Sequence, residues 1–203
     1  NYTFSSSEAS TISYGGSCSS STTSAISGNN TITLNTLSDG TYSDCTITVT
    51  DDAGNISSTL SISMFTVDVT TPTISEVTAV TNPTNDSTPN YTFSSSEAGT
   101  ITYGGSCSSS TTSATSGNNI ITLNSLIDGD YSNCTITVND EAGNASNTLA
   151  ITSFSVDATA ATLAEVTAVT TPTTDTTPDY TFSSSESGTI TYGGPCSSST
   201  TSA

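Results

Sequence analysis

The sequence predicts an all-β protein made of tandem two-sheet sandwiches with an 89-residue repeat. Three observations support this prediction. Apolar residues alternate with Ser and Thr at a spacing of two, which is the pattern of strands with one buried face and one solvated face. Turn-forming Gly, Asn and Asp residues separate these short stretches. No stretch shows helical periodicity, and no apolar run reaches the length of a transmembrane segment.

The repeat is visible in the sequence itself. NYTFSSSEA at Asn1 returns at Asn90, and DYTFSSSES follows at Asp179. A period of 89 residues is too long for helical-repeat solenoids, whose units have about 33 or 34 residues, and it suits one small domain per repeat. We therefore expect a partial unit at 1–69 that lacks its first strand, a complete unit at 70–158 and a partial unit at 159–203, all cut from a longer tandem array.

In the middle unit the alternation predicts six strands, and β-branched Thr favours strand geometry while its hydroxyl stays solvated. Lettered by position, they are A at 74–80, B at 91–95, C at 100–103, E at 120–123, F at 131–138 and G at 149–156. The predicted inward set is Ile74, Val77, Tyr91, Phe93, Ile101, Tyr103, Ile121, Leu123, Leu126, Ile136, Val138, Leu149, Ile151 and Phe154. The alternation changes phase inside strand G, which predicts a β-bulge there.

Composition excludes several classes of function. The chain has 18 acidic residues and no Lys, Arg or His, so its formal net charge is −18. Without cations it cannot neutralise nucleic-acid phosphates or adhere to anionic lipid surfaces. It also lacks the His base, Schiff-base Lys and Arg clamp of most enzymes, so we expect no enzymatic activity. The 41 Ser and 45 Thr residues would favour disorder, but the alternating pattern places them on the outer faces of sheets.

Several motifs resemble bacterial immunoglobulin-like (Ig-like) repeats, which stand in tandem along large surface and secreted proteins, including adhesins. They are Leu-Ser-Asp-Gly-Thr-Tyr at 37–42, Thr-Ile-Thr-Val at 46–49 and Asp-Ala-Gly-Asn at 52–55, with counterparts in the middle unit. The resemblance implies tandem immunoglobulin-like sandwiches. It also implies that Tyr42 and Tyr131 are tyrosine-corner residues that tie the turn before strand F to that strand.

The cysteines form pairs that recur with the repeat: Cys18 with Cys45 and Cys107 with Cys134. In the immunoglobulin strand order, strand C neighbours strand F, so a disulfide between the members of each pair is expected, together with an oxidising, extracellular location. Free buried thiols are the alternative, and a zinc site is disfavoured because each unit has two Cys and no His. Cys196 should pair with a residue beyond this window.

Acidic residues cluster where a turn or a linker joins predicted strands. We consider that the following acidic residues are possible ligands of calcium: Asp51, Asp52, Asp68, Asp140, Glu141 and Asp157. Carboxylate and amide oxygens at hinges between domains are the ligands that Ca²⁺ prefers, and bound calcium would stiffen a rod. The alternative is that Asp and Asn occupy these turns because their side chains bond the local backbone. No other cofactor is expected.

The leading functional hypothesis is a stalk or filament segment of a long extracellular repeat protein. Its partners would be other copies of the repeat in the same chain, and possibly other chains of a filament, with no nucleic-acid partner and no direct membrane insertion. Two alternatives stay open: an adhesive module that binds a carbohydrate or a receptor, and a self-assembling fibre held by strand exchange between chains. The second linker, Ala160-Ala161-Thr162, lacks the Pro of Thr71-Pro72-Thr73, so we expect it to bend more.

Overall fold

The computed structural model describes residues 1–203 and contains nineteen β-strands and no helix. The first eight are β1 (Tyr2–Ser6), β2 (Ser10–Gly15), β3 (Ser24–Ala25), β4 (Gly28–Ile32), β5 (Gly40–Tyr42), β6 (Thr46–Thr50), β7 (Leu60–Ser61) and β8 (Phe65–Val67). The next nine are β9 (Ile74–Thr78), β10 (Asn90–Ser95), β11 (Gly99–Gly104), β12 (Ser113–Ala114), β13 (Gly117–Thr122), β14 (Gly129–Tyr131), β15 (Thr135–Asn139), β16 (Leu149–Ala150) and β17 (Phe154–Val156). The last two are β18 (Leu163–Thr167) and β19 (Thr181–Ser184).

Strands β9–β17 form a sandwich, called the second sandwich below. One sheet has the order β13-β10-β9, and the other has the order β12-β11-β15-β16, with β14 and β17 paired beside it. In the letters of the sequence analysis these orders are E-B-A and C-F-G. They are the sheet orders of an immunoglobulin-like sandwich, so the predicted all-β sandwich fold is confirmed.

Strands β1–β8, the first sandwich, repeat this pairing. Strand β1 pairs with β4, and the other sheet has the order β3-β2-β6-β7, with β5 paired to β8. Tyr2 faces Ile32 in the first sandwich as Tyr91 faces Ile121 in the second. The same alternation of apolar and hydroxyl side chains has therefore produced the same register twice along the chain.

Each sandwich has its own apolar core. The core of the second contains 17 buried residues between Ile74 and Val156, and that of the first contains 8 between Phe4 and Ile62. Most of the predicted inward set lies in the larger core, with Tyr103 and Leu149 packed at its edge. Val80, Tyr131 and Val156 are also buried there, although they were not in that set.

Val77 is the wrong member of the predicted core, since 46% of its surface is exposed. The pairing of β9 with β10 shows why. Phe93 faces Glu76 and Thr92 faces Thr78, so the register shifts by one residue and Val77 has no partner. Val77 is thus the extra residue of a β-bulge, which turns its side chain away from the core.

Two predictions about strands F and G are wrong. Strand G has no bulge, and neither strand is continuous. Both strands are interrupted at the same level, F between β14 and β15 and G between β16 and β17. The pairing keeps one register across the gap, from Tyr131 opposite Phe154 to Thr135 opposite Ala150. A bulge would add a residue to one strand only. Within the gap of strand G, the Thr152 N–H donates to the carboxylate of Glu76 in β9 at 3.0 Å.

Beyond the second sandwich, β18 pairs with β19 in the arrangement that β9 and β10 show. Residues 159–203 are all half-buried or exposed. The structure offers no helix that is long and apolar enough to cross a membrane.

Candidate cation site and the junction between the sandwiches

The two predicted cysteine pairs are disulfides. Cys18 is bonded to Cys45 and Cys107 to Cys134, with a Cα–Cα distance of 5.2 Å in each pair. Because all four sulfurs are in disulfide bonds, free thiols and zinc ligands are both excluded at these positions. The four side chains are also buried. Cys196 is free and exposed. Such disulfides form and persist in oxidising compartments, which indicates an extracellular or otherwise oxidising location.

The turns after β6 and β15 share one hydrogen-bonded arrangement. The Asp51 carboxylate accepts bonds from the Asn55 N–H and side-chain amide, both at 2.8 Å. Asp140 accepts the same pair of bonds from Asn144, also at 2.8 Å. The bonds from Asn55, its side chain first and its backbone second, hold the pKa of Asp51 below its usual value. These two aspartates therefore have a local structural role, as the turn chemistry of Asp and Asn predicts.

A cluster of three carboxylates lies at the junction between the two sandwiches. Asp68 follows β8, Glu97 follows β10 and Asp140 follows β15, and one oxygen from each lies within 4.8 Å of the others. All three are half-buried. Carboxylate oxygens bound to one calcium ion at 2.3–2.6 Å are separated by distances of this order. The residues present thus fit a hard cation such as Ca²⁺, with up to two oxygens from each carboxylate.

The cluster carries an electrostatic cost without a cation. The pKa of Glu97 is raised, first by burial and then by the negative charges of Asp68, Asp140 and Asp39. Burial is also the largest influence on Asp140 and acts to raise its pKa, but the hydrogen bonds from Asn144 and the turn backbone outweigh it and lower the value. The hydrogen bonds thus favour the ionised form of Asp140, whereas burial and the neighbouring negative charges disfavour the ionised form of Glu97.

Of the six predicted calcium ligands, the structure brings together Asp68 and Asp140. Asp51, Asp52, Glu141 and Asp157 do not belong to the cluster. The third member, Glu97, was missed by sequence reasoning because it lies in the loop after strand B, far along the chain from the other two. Its one signal is that it recurs with the repeat, as Glu8 and Glu186 do.

Another pair of aspartates contacts the linkers that leave the sandwiches. Asp39 accepts the Val69 N–H at 2.9 Å and the Thr70 hydroxyl at 2.5 Å. The hydrogen bond from Thr70, followed by that from the Val69 backbone, lowers the pKa of Asp39. Asp128 repeats the arrangement, since it accepts the Ala158 N–H at 2.8 Å and the Thr159 hydroxyl. The aspartate of each Asp-Gly motif therefore bonds the linker that follows its own sandwich.

The tyrosines of the same motif lie where the resemblance implied. The Tyr42 hydroxyl donates to the Ser38 carbonyl and the Tyr131 hydroxyl to the Ile127 carbonyl, both at 2.8 Å. Each ring also stacks on the Phe opposite it, with ring centroids 5.3 Å apart. These contacts tie the turn before strand F to that strand, as a tyrosine corner does.

The sheet orders, the disulfides between strands C and F and the tyrosine corners define an immunoglobulin-like β-sandwich protein. Comparison with known families agrees with this class. Residues 61–158 match the model of the family described as "Bacterial Ig-like domain". A comparison with curated proteins finds no match.

Proposed function

We propose that the chain is a spacer segment of a long extracellular protein, in which tandem Ig-like units form a stalk or filament. The observation that carries the proposal is the repetition of one disulfide-bonded sandwich along a single chain, with the same strand register each time. Neighbours this similar suit a repeated mechanical element, because a recognition site would not need the same copy twice. The partners of each unit are the adjacent units, divided at about 69/70 and 158/159.

The surface chemistry supports the same function. A net charge of −18 without any side-chain cation keeps the units hydrated and makes separate chains repel one another. The disulfides stabilise small cores in a compartment where no cellular reductant is present. The proposal assigns no catalytic chemistry to the chain.

Binding arrays separate the spacer from an adhesive module. The 203-residue chain would be applied to carbohydrate and matrix-protein arrays, with a known adhesin as the positive control. A spacer gives no saturable binding, whereas saturable binding to one glycan or receptor class would overturn the proposal. Electron microscopy of the assembled protein tests the strand-exchange fibre, because a spacer gives isolated strings of beads and a fibre of exchanged strands gives a continuous lattice between chains.

We also propose that Ca²⁺ binds the cluster of Asp68, Glu97 and Asp140 and stiffens the first junction. The support is the convergence of three half-buried carboxylates from both sandwiches and the raised pKa of Glu97, which a cation would reverse. Asp51, Asp52, Glu141 and Asp157 are left out, because they do not lie with these three.

Thermal unfolding of the Glu97→Gln variant tests the calcium proposal. In chelator, the variant should be more stable than the parent, because a neutral amide removes the repulsion from Asp68 and Asp140. In millimolar Ca²⁺ the order should reverse, since the parent gains the binding energy and the variant loses a ligand. Glu8→Gln, at the equivalent position of the first sandwich, is the matched control and should show neither effect. A parent whose unfolding temperature does not change between chelator and Ca²⁺ would refute the site.

A further inference from the structure

The peptide group between Asp68 and Val69, called the bridging peptide below, is hydrogen-bonded on both of its polar atoms. Its N–H donates to the Asp39 carboxylate at 2.9 Å, and its carbonyl accepts from the Asn144 side-chain amide at 3.0 Å. Asp39 belongs to the first sandwich, between β4 and β5, and Asn144 belongs to the second, between β15 and β16. A single peptide group thus connects the two sandwiches through one side chain of each.

We infer that this double contact sets the angle between the two sandwiches and makes the first junction rigid. A peptide plane that is fixed at both its N–H and its carbonyl cannot rotate without breaking one of the two bonds. Both partners are held in place by other contacts. Asp39 also accepts the Thr70 hydroxyl, and Asn144 also donates to the Asp140 carboxylate at 2.8 Å.

The rest of the linker is held on the side of the second sandwich. The Thr73 N–H donates to the Ser96 hydroxyl at 2.9 Å, and the Ile74 N–H donates to the side chain of Asn147 at 3.0 Å. Pro72, between the bridging peptide and these bonds, is almost fully buried. Thr70 is held as well, because its hydroxyl bonds Asp39 and its N–H donates to the Asp68 carboxylate at 3.1 Å. Rotational freedom in the linker is therefore reduced to Thr71, and the bridging peptide attaches the linker to the first sandwich.

The second junction provides an internal comparison. Asp128 bonds the Ala158 N–H and the Thr159 hydroxyl, so this linker has the counterpart of the Asp39 contact. This linker differs from the first in having Ala161 where the first linker has buried Pro72. The inference deepens the proposed spacer function by locating its stiffness, but the bridging peptide could hold two sandwiches together in a protein of any function.

Amide hydrogen exchange and residual dipolar couplings of the full chain test the inference. In Asp39→Asn, the Val69 N–H should exchange about tenfold faster, the size expected when the charged acceptor of a hydrogen bond becomes a neutral one. The couplings of the two sandwiches should then no longer fit one alignment tensor. Asp128→Asn is the reciprocal variant. It should accelerate hydrogen exchange of the Ala158 N–H and leave exchange of the Val69 N–H unchanged.

Asn144→Ala tests the other side of the bridging peptide. In this variant the residual dipolar couplings of the two sandwiches should no longer fit one alignment tensor. The core amides of each sandwich should keep their protection from hydrogen exchange. This substitution also removes a bond within the turn, so Asn55→Ala, which removes the same turn bond from the first sandwich, is its control and should leave the alignment intact. If Asp39→Asn and Asn144→Ala both leave Val69 exchange and the shared alignment tensor unchanged, the inference is wrong. Its failure would not affect the spacer proposal, which the array and microscopy experiments test separately.

Discussion

Removal of the Cys107–Cys134 disulfide should destabilise the second sandwich and leave the first one unaffected. The bond closes a loop with a sequence separation of 27. In the chain-entropy model, a loop of that length stabilises the folded state by about 3.6 kcal/mol at 25 °C. For a unit of about 90 residues this corresponds to a fall of roughly 20 °C in Tm. The core of 17 buried residues is modest for such a unit, so the loss is a large part of its stability.

The variant that tests this prediction is Cys107→Ala with Cys134→Ala, in a Cys196→Ser background that prevents disulfide exchange. Alanine avoids leaving a buried hydroxyl without a partner. Native-state hydrogen exchange should show the free energy of opening fall by about 3.6 kcal/mol for the paired amides of β11 and β15. The corresponding amides of β2 and β6, whose sandwich keeps Cys18–Cys45, are the control. A loss below about 1 kcal/mol, or an equal loss in both sandwiches, would refute the reasoning.

Three further predictions concern the tyrosine hydrogen bond before strand F, the pH dependence of the Asp39 contact and the motion of the second linker. Tyr131→Phe should cost about 1 kcal/mol in urea unfolding, since it removes one hydrogen bond but keeps the ring stack; no loss would show that the corner bond is dispensable. Asp39 has a lowered pKa, so its contribution is present above the usual aspartate pKa of about 3.9 and is lost as the pH falls through the lowered value. The Val69 amide shift should therefore be constant down to about pH 4 and move below it, whereas a transition near neutral pH would contradict this assignment. Relaxation measurements should show larger angular motion across Ala160–Thr162 than across Thr71–Thr73, and equal motion at both linkers would contradict the expected effect of Pro72.

Much of the fold could be predicted from the sequence because alternation, turns and cysteines each act locally. Thr and Ser between apolar residues specify which face of a strand is solvated, and this placed Phe93 and Ile136 correctly in the core. Val77 was placed wrongly, because a bulge depends on the partner strand and not on the residue itself. The gaps in strands F and G were also missed, and they recur at the same places in both sandwiches, between β5 and β6 and between β7 and β8 as in the second.

The junction was harder to predict than the strands. Sequence reasoning found Asp68 and Asp140 because they lie at the end of a unit and in a turn. It could not find Glu97 or the linker contact of Asp39, since only the folded chain brings these residues to the same place. Asp39 belongs to the Asp-Gly motif of residues 37–42, and its carboxylate bonds the linker some 30 residues further along.

Small-angle X-ray scattering of the full chain tests the central claim, a row of separate Ig-like sandwiches that acts as a spacer, most directly. A compact chain of 203 residues would have a radius of gyration of about 17 Å, and an unfolded one about 48 Å. The spacer account predicts a value clearly between these limits, rod-like scattering, and a constant increase in maximum dimension when a further copy of residues 70–158 is added. A radius near 17 Å, or a maximum dimension that does not grow with the added copy, would contradict it.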